Sequence, residues 1–155
     1  MTMTATARPI DGTLRHEIDA NQRHSITTDE PAKLGGSDTA PAPHELLPAM
    51  LASCVSTMIT LYARTRDWEL KDLRVDVTYD PDSTPRQIQT TIHLPAGLTP
   101  DQVKRLQRVA DTCPVKRALE TGFTFQQQIA LDLPDHPAVE LARSSVAVAR
   151  VGRSL

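Results

Sequence analysis

The sequence predicts an α+β protein in which antiparallel strands pack against one long central helix. Two kinds of periodicity lead to this prediction. Residues 43–66 carry apolar side chains at the three-and-four spacing of an amphipathic helix, whereas residues 73–79 and 87–94 alternate with the period of two that is typical of strands. No strand-helix-strand repeat of the dinucleotide-binding kind is present, so an antiparallel arrangement is expected.

The amino-terminal region predicts a hairpin. Residues 13–19 and 23–28 have strand character, and Asp11-Gly12 before them is typical of a tight turn that needs positive φ at both central positions. Residues 1–10 are small and polar, and they could form a first edge strand or stay loose.

The long helix is expected to follow a loop. Residues 29–43 hold three prolines and a glycine pair, which indicates a loop long enough to be functional. Pro43 presets the first helical turn, and Glu45 places a carboxylate at the positive end of the helix dipole, where capping is its simplest role. About 24 residues at 1.5 Å each give roughly 36 Å, with Cys54 near the middle on the apolar side.

The carboxyl-terminal half predicts two helices and a strand. Thr99 is suited to cap a helix that runs to about residue 112, and a shorter helix over residues 115–120 ends at Gly122. Alternating apolar side chains predict a final strand over residues 123–131.

Length and charge limit the classes of protein that fit. The chain of 155 residues is expected to form a single domain over residues 1–133, followed by a tail, residues 134–155, whose placement the sequence does not predict. Its 17 basic and 19 acidic residues nearly cancel, so a nucleic-acid partner is not expected. The core must be small and aliphatic, because aromatic residues make up 3% of the chain, and a second copy could cover apolar surface in a homodimer.

The sequence predicts a cytoplasmic location. The amino terminus lacks the pattern of a secretory signal, and the longest apolar run is interrupted by Pro48 and Ser53, so no membrane association is expected. In the cytoplasm, two cysteines are expected to be reduced, catalytic or redox-active rather than joined in a permanent bridge.

Only Cys54 and Cys113 offer specific nucleophilic or redox chemistry. On its apolar helix face Cys54 could be a small hydrophobic residue, and a reactive thiolate there would need a nearby cation or donor. Cys113 precedes Pro114, so its sulfur is expected to face the free N–H groups of a new helical turn, either as a thiolate or as a structural cap. Because the two residues lie on different helices of one core, contact between them is feasible, although their separation in sequence does not establish it.

Other kinds of site are not expected. There is no Cys-x-x-Cys or paired-histidine spacing for zinc, and Gly35-Gly36 lacks the remainder of a phosphate loop. A cysteine hydrolase would need a histidine near Cys54, but His44 would be turned by about 80° and lie roughly 15 Å away along a straight helix. The sequence therefore predicts no metal and no cofactor.

Three stretches of the chain resemble a known family. They read L-G-G-S-D-T-A-P-A-P-H-E-L-L-P-A-M-L-A-S-C, A-R-T-R-D-W-E-L-K-D-L-R-V-D-V and V-A-D-T-C-P-V-K-R-A-L-E. Over about residues 13–131 the chain resembles the OsmC/Ohr family of osmotically inducible and organic hydroperoxide resistance proteins, and within it the general OsmC-like branch. The resemblance implies an intertwined homodimer in which sheets wrap two long helices.

The resemblance also implies a thiol-dependent peroxidase without metal or flavin. Cys54 would attack an organic hydroperoxide and become a sulfenic acid, and Cys113 would resolve it as a disulfide. A dithiol would then reduce the disulfide; in well-studied members of the family, this donor is a lipoylated protein.

The positions around the cysteines depart from the hydroperoxide resistance branch. That branch has a glutamate ten residues before the peroxidatic cysteine, where this chain has His44, so Glu45 is the candidate in its place. The activating arginine of the family comes from the amino-terminal half, which makes Arg23 the first candidate and Arg15 the second. The alternative interpretation is a non-enzymatic member that binds a small apolar or thiol-reactive molecule between subunits, with the cysteines vestigial or acting as a redox sensor.

Overall fold

The computed structural model describes residues 2–131, so the predicted tail over residues 134–155 lies outside the described part. In chain order its strands and helices are β1 (Ala5–Pro9), β2 (His16–Ala20), β3 (His24–Thr28), α1 (Leu46–Arg64), β4 (Arg74–Asp80), β5 (Gln87–His93), α2 (Pro100–Asp111) and α3 (Pro114–Thr121). The predicted α+β class is confirmed, with two antiparallel sheets and one long helix.

The first sheet is a three-stranded meander in the order β1-β2-β3. Within residues 2–10, Ala5–Pro9 form an edge strand, since Ala7 pairs with Ile18 of β2, which pairs in turn with Ile26 of β3. The predicted turn is present, with φ values of 51° at Asp11 and 68° at Gly12. Strand β2 begins at His16, three residues later than the sequence predicts, because the connection after β1 continues to that point.

The second sheet is the predicted hairpin of β4 and β5. Val75 pairs with Ile92, and along β4 half-buried residues alternate with exposed ones. The half-buried side chains Val75, Val77 and Ile92 pack against the core formed with α1. The period of two in the sequence therefore reflects one covered face and one open face.

Helix α1 supplies the centre of the core. Its buried residues Leu51, Val55, Ile59 and Ala63 recur every four positions and form one stripe along the helix. The helix is shorter than predicted, at 19 residues, because Pro43–Glu45 form a 3-10 turn before it. By length and composition alone, Pro43–Arg64 could cross a membrane. Its buried stripe packs in the core of the protein, however, as expected of a core helix.

Helices α2 and α3 pack against α1. The predicted capping box of α2 is confirmed, because the Gln102 backbone N–H donates to Thr99 Oγ1 at 3.3 Å and the Thr99 N–H donates to Gln102 Oε1 at 2.8 Å. Gly122 follows α3 with φ of 73°, as expected of a glycine at a helix end. Leu106 and Ala110 of α2 join the core.

The loop between β3 and α1 is held by one buried carboxylate. Asp29 is 1% exposed and accepts hydrogen bonds from the backbone N–H groups of Glu30, Ser37 and Thr39 and from the Thr39 hydroxyl. These donors lower the pKa of the Asp29 carboxyl, and the Thr39 backbone N–H is the main cause. A Cβ on Gly36 would overlap the Glu30 carbonyl, so the tight fold of this loop requires glycine there.

The strand predicted over residues 123–131 is wrong for the described chain. By its contacts the chain divides into one unit, Met1–Phe123, and a second, Thr124–Leu155. In the second unit, residues 124–131 form neither helix nor strand, and Phe125, Ile129 and Leu131 have exposed side chains. An alternating pattern gives a strand only where its backbone joins a regular ladder, and the ladders of residues 2–131 lie within β1–β3 and between β4 and β5.

Candidate active site

The structure brings the two cysteines together. Cys54 lies near the middle of α1, Cys113 lies between α2 and α3, and the Cys113 thiol donates to the Cys54 sulfur across 2.9 Å. Both are free thiols. Cys113 is fully buried and Cys54 is partly exposed, so a molecule from solvent reaches Cys54 first.

Backbone hydrogen bonds on both sides fix the position of Cys113. Its N–H donates to the Ala110 carbonyl at 3.1 Å, which closes the end of α2, and its carbonyl accepts from the Arg117 N–H at 3.0 Å, which begins α3. Pro114 forces Cys113 into an extended conformation, with φ of −54° and ψ of 122°, and this breaks the chain into two helices. The sulfur is thus fixed at the junction of the two helices.

The electrostatics of Cys54 contain opposing contributions. Burial raises the pKa of the Cys54 thiol, and the hydrogen bond with Cys113 raises that pKa further. The Val115 backbone N–H at the start of α3 acts in the opposite direction and lowers that pKa, but burial and Cys113 outweigh it.

The expectation that Cys113 faces the free N–H groups of α3 is therefore wrong. The Cys113 side chain makes no capping hydrogen bond, and the N–H of Val115 is directed at Cys54 instead. The reason lies in the packing of α3 against α1, which brings the start of α3 over the middle of α1.

This pair of cysteines coincides with a family match. The model of the family described as OsmC-like protein matches residues 35–128, which include both cysteines. The chain belongs to the OsmC-like family. A comparison with curated protein sequences gave no match.

Solved structures of OsmC-like proteins share the fold. A protein from Psychrobacter arcticus 273-4, described as an osmotic stress induced and detoxification response protein, is 29% identical with a TM-score of 0.63, over 76% of this chain and 87% of that one. An organic hydroperoxide resistance protein OsmC from Legionella pneumophila is 22% identical with a TM-score of 0.51, over 77% of this chain and 89% of that one. One from Vibrio cholerae, also described as an organic hydroperoxide resistance protein, is 22% identical with a TM-score of 0.55, over 77% and 84%.

Glu45, one of the residues suggested by resemblance to the OsmC/Ohr family, lies at the start of the central helix. Its carboxylate accepts a hydrogen bond from the Ala42 N–H at 2.8 Å, so it ties down the turn that precedes α1. The neighbouring His44 packs edge-on against Tyr79 of β4, with ring centroids 5.8 Å apart. In this OsmC-like chain, Glu45 thus makes the capping contact that is its simplest predicted role.

Arg23 lies in the turn before β3. It lines a cleft of about 320 Å³ on the first sheet, beside Glu17, Asp19 and His24. The hydrogen bonds and ion pairs of residues 2–131 include none that joins Arg23 to either cysteine or to Glu45. Within the single chain, the two cysteines contact each other, whereas Arg23 makes no hydrogen bond or ion pair with either of them in residues 2–131.

A second cleft, which sequence reasoning missed, is lined by residues of α1, of α3 and of the β4–β5 hairpin but by neither cysteine. It has a volume of about 280 Å³ and is lined by Leu51, Arg86, Ile88, Thr90, Lys116, Leu119 and Glu120. Leu51 is three residues before Cys54 on α1, and Lys116 is three residues after Cys113 at the start of α3, so each is one helical turn from a cysteine. That spacing is the signal in the sequence that could have indicated these two residues.

The described residues 2–131 contain no group of three or more histidine, cysteine, aspartate or glutamate side chains that could hold a metal ion. The two adjacent thiols can support oxidation of one by a solvent-borne molecule and resolution of the product by the other.

Proposed function

We propose that this chain is a thiol-dependent peroxidase that reduces organic hydroperoxides. The observation that carries the proposal is the 2.9 Å approach between the sulfur atoms of two free cysteines that are 59 residues apart in sequence. Membership of the OsmC-like family supports it, as does the fold shared with proteins described as organic hydroperoxide resistance proteins.

The proposed reaction uses the two thiols in turn. The Cys54 thiolate attacks the outer peroxide oxygen, the O–O bond breaks, and the alcohol leaves after taking up one proton, so that Cys54 becomes a sulfenic acid. The Cys113 sulfur then attacks the Cys54 sulfur, the S–O bond breaks, water leaves, and a disulfide forms. An external dithiol reduces that disulfide by exchange and is itself oxidised to a disulfide, which restores both thiols.

Two features support Cys54 as the residue that meets the peroxide. It is the partly exposed member of the pair, whereas Cys113 is fully buried. The Val115 N–H at the start of α3 also lowers the pKa of the Cys54 thiol, against the larger effect of burial, which raises it. Cys113 would need to move by only about 1 Å to reach the S–S distance of a disulfide, about 2.05 Å.

The apolar cleft whose lining lies one helical turn from the cysteines supports an organic substrate over hydrogen peroxide. Leu51, Ile88 and Leu119 give it apolar walls, and Leu51 is one helical turn from Cys54 along α1. Burial of an alkyl or aryl group there would contribute roughly 25 cal/mol per Å² of apolar surface removed from water, a gain that hydrogen peroxide cannot have.

The proposal includes a homodimer in the cytoplasm and a dithiol reductant, of the lipoyl type or a small thiol. One face of the first sheet carries Ala7, Ile18 and Ile26 side by side, and Ile26 is 43% exposed. A second copy of the chain would cover such apolar surface. Light scattering coupled to size exclusion should give the mass of two chains, and the mass of one chain would contradict the dimer.

The proposed roles of Glu45 and Arg23 in positioning the peroxide stay predictions. Each can be tested by substitution with alanine, with the rate of Cys54 oxidation as the measurement. A loss of at least tenfold, about 1.4 kcal/mol, would support a role in the reaction. No change would leave Glu45 as a helix cap and Arg23 as a surface residue.

The function can be tested by peroxide consumption. Wild-type protein should consume cumene hydroperoxide catalytically with dithiothreitol or dihydrolipoamide, and Cys54→Ser should not. Cys113→Ser should consume one equivalent and then stall as a sulfenic or overoxidised form. Consumption by wild type no faster than by Cys54→Ser would falsify the proposal.

A thiol titration separates the peroxidase from the non-enzymatic alternative. After one equivalent of peroxide, wild type should lose both thiols together, because the sulfenic acid condenses with the adjacent thiol. Retention of both thiols would support a binding protein instead, and full turnover by Cys113→Ser would show that the resolving role is misassigned.

A further inference from the structure

Helices α2 and α3 meet at a break in the backbone hydrogen-bond ladder. Pro114 has no N–H, and the Val115 N–H is directed at Cys54, so neither donor continues the ladder of α2 past Cys113. Among residues 2–131, no backbone hydrogen bond joins a residue of α2 to a residue of α3, because the bonds on the two sides of the break end on Cys113 itself. The local backbone therefore does not fix the angle between the two helices that meet at Cys113.

One ion pair spans this break. The ammonium of Lys116, in the first turn of α3, lies 2.7 Å from the carboxylate of Asp111, the last residue of α2. It also lies 3.9 Å from the Glu120 carboxylate, one turn further along α3. Of the ion pairs within residues 2–131, the one between Asp111 and Lys116 is the one that joins α2 to α3. These two side chains thus bridge the helix ends on either side of Cys113.

The two charges stand where each is unfavourable for its own helix. A carboxylate at the C-terminal end of a helix and an ammonium in a first turn both oppose the helix dipole. Asp111 and Lys116 therefore do not stabilise their own helices through the dipole, and what they contribute comes from the contact between them. This arrangement is that of a clamp between two helices rather than of two caps.

The ammonium of Lys116 also lies near the buried thiol. Asp111 is the main cause that raises the pKa of Lys116; burial partly opposes this, and the charges of Glu120 and of an ionised Cys113 raise that pKa further. The ammonium is thus within electrostatic reach of Cys113, three residues earlier in the chain. The clamp is therefore next to the sulfur that faces Cys54 at 2.9 Å.

We propose that Lys116 is a positioning residue for disulfide formation, and that its ion pair with Asp111 clamps α2 to α3 so that the Cys113 sulfur stays directed at Cys54. This inference rests on the proposed peroxidase function, in which the clamp acts once Cys54 has become a sulfenic acid. The Cys113 sulfur attacks the Cys54 sulfur, the S–O bond breaks, and the leaving OH departs as water with the proton of the Cys113 thiol. This step is fast only while the two sulfur atoms are held at attack distance, so a loosened junction slows it.

The test measures the two oxidation steps separately after reduced protein is mixed with one equivalent of cumene hydroperoxide. Samples quenched with acid are analysed by mass spectrometry, because a sulfenic acid adds one oxygen and a disulfide removes two hydrogens. Lys116→Met keeps the length of the side chain and removes its charge. It should form the sulfenic acid as fast as wild type but close the disulfide about threefold more slowly, as expected for an exposed ion pair. Salt should slow closure in wild type towards the rate of this variant, because salt screens exposed charges.

Three further variants separate the clamp from a general loss of charge. Lys116→Arg keeps the cation and should keep the wild-type rate of closure. Lys104→Met is the matched control, since it removes an exposed lysine of α2 that has no ion pair within residues 2–131, and it should leave closure unchanged. Asp111→Asn should slow closure as Lys116→Met does. The double variant should be no slower than either single variant, because each removes the same contact.

A second measurement needs no peroxide. In a glutathione buffer, the ratio of disulfide to dithiol reports how well the two thiols are held together. At the same glutathione ratio, Lys116→Met should contain about threefold less disulfide relative to dithiol, because the bond must then order a junction that the ion pair no longer holds. Lys104→Met should match wild type.

The outcomes separate this inference from the function on which it rests. Unchanged closure in Lys116→Met, an equal loss in Lys104→Met, or equal losses in sulfenic acid formation and in closure would overturn the clamp while leaving the peroxidase intact. If wild type formed no sulfenic acid with peroxide, the peroxidase function itself would be refuted. In that case the glutathione ratio would still test the clamp, and equal ratios in wild type and Lys116→Met would overturn it.

Discussion

Formation of the Cys54–Cys113 disulfide should stabilise the protein strongly against urea. The bond would close a loop between two cysteines that are 59 positions apart in sequence. The chain-entropy relation gives a loss of about 14 cal/mol/K for the unfolded chain with such a loop, which is about 4 kcal/mol at 25 °C. Because the sulfur atoms already lie 2.9 Å apart, little of this gain should be lost to strain in the folded state.

The measurement is a pair of urea unfolding curves at one protein concentration. One sample is reduced, and the other is treated with one equivalent of cumene hydroperoxide and checked for loss of both thiols. With a urea dependence of about 2 kcal/mol per molar, the oxidised midpoint should lie up to about 2 M higher. A fixed concentration matters because dimerisation would make the midpoint depend on it.

The Cys113→Ser variant is the matched control, since it keeps Cys54 but cannot form the bond. Its midpoint should be the same before and after peroxide within about 0.3 M. The reasoning would be refuted if fully oxidised wild type were no more stable than reduced wild type. Such a result would mean that closing the bond strains α1 or α3 by as much as the loop closure stabilises, contrary to the observed proximity of the two sulfur atoms.

Three further predictions concern the core, the loop and the nucleophile. Ile59→Ala should lower the free energy of unfolding by about 3 kcal/mol, because Ile59 is fully buried, whereas Leu61→Ala, at a site 53% exposed on the same helix, should cost less than about 1 kcal/mol by urea unfolding. Asp29 has a lowered pKa, so its contribution to stability is present above its ordinary pKa of 3.8 and is lost as the pH falls through the lower value in the folded protein. Asp29→Asn should therefore be less stable than wild type at neutral pH and should lose less stability on acidification. Urea midpoints measured against pH would show this, and parallel curves for the two proteins would contradict it. Because burial raises the pKa of Cys54, the rate of its oxidation should climb with pH from neutral to beyond its ordinary pKa of 9.0, and a rate already flat at neutral pH in stopped-flow measurements would contradict it.

The sequence predicts the second sheet and the helices well, because their patterns have local causes. The expected runs 73–79 and 87–94 differ by about one residue at either end from β4, Arg74–Asp80, and β5, Gln87–His93. Their alternation reflects a single covered face, and the capping box at Thr99 is a contact within one helical turn. Features determined within a few residues are the ones that a sequence pattern records.

Elements that depend on distant partners are predicted less well. The composition of residues 1–10 left β1 open, because Ala5–Pro9 become a strand only by pairing with β2. The opposite error occurs at residues 123–131, where period-two alternation is present without a regular ladder. Strand propensity describes a side chain that fits a pleated surface, and it does not provide the neighbouring strand.

The candidate site shows the same division. Each cysteine stands in a local setting that the sequence reveals, but the contact between them depends on how α3 packs against α1, and only the family resemblance indicated it beforehand. The same packing directs the Val115 N–H to Cys54 rather than to Cys113.

The core of the protein also determines how its sulfur atoms meet solvent. The buried stripe of α1 runs through Leu51 and Val55, and Cys54 precedes Val55 by one residue, which turns its side chain by about 100° from the centre of the stripe. Cys54 therefore lies at the margin, where one side contacts the buried Cys113 and the other remains partly exposed. A residue within the stripe would be shielded from peroxide, and one on the opposite face could not reach Cys113. The margin is where a helical residue can both meet a solvent-borne oxidant and pass the oxidation to a buried partner, so the packing that stabilises α1 also suits the two thiols to the different roles proposed for them.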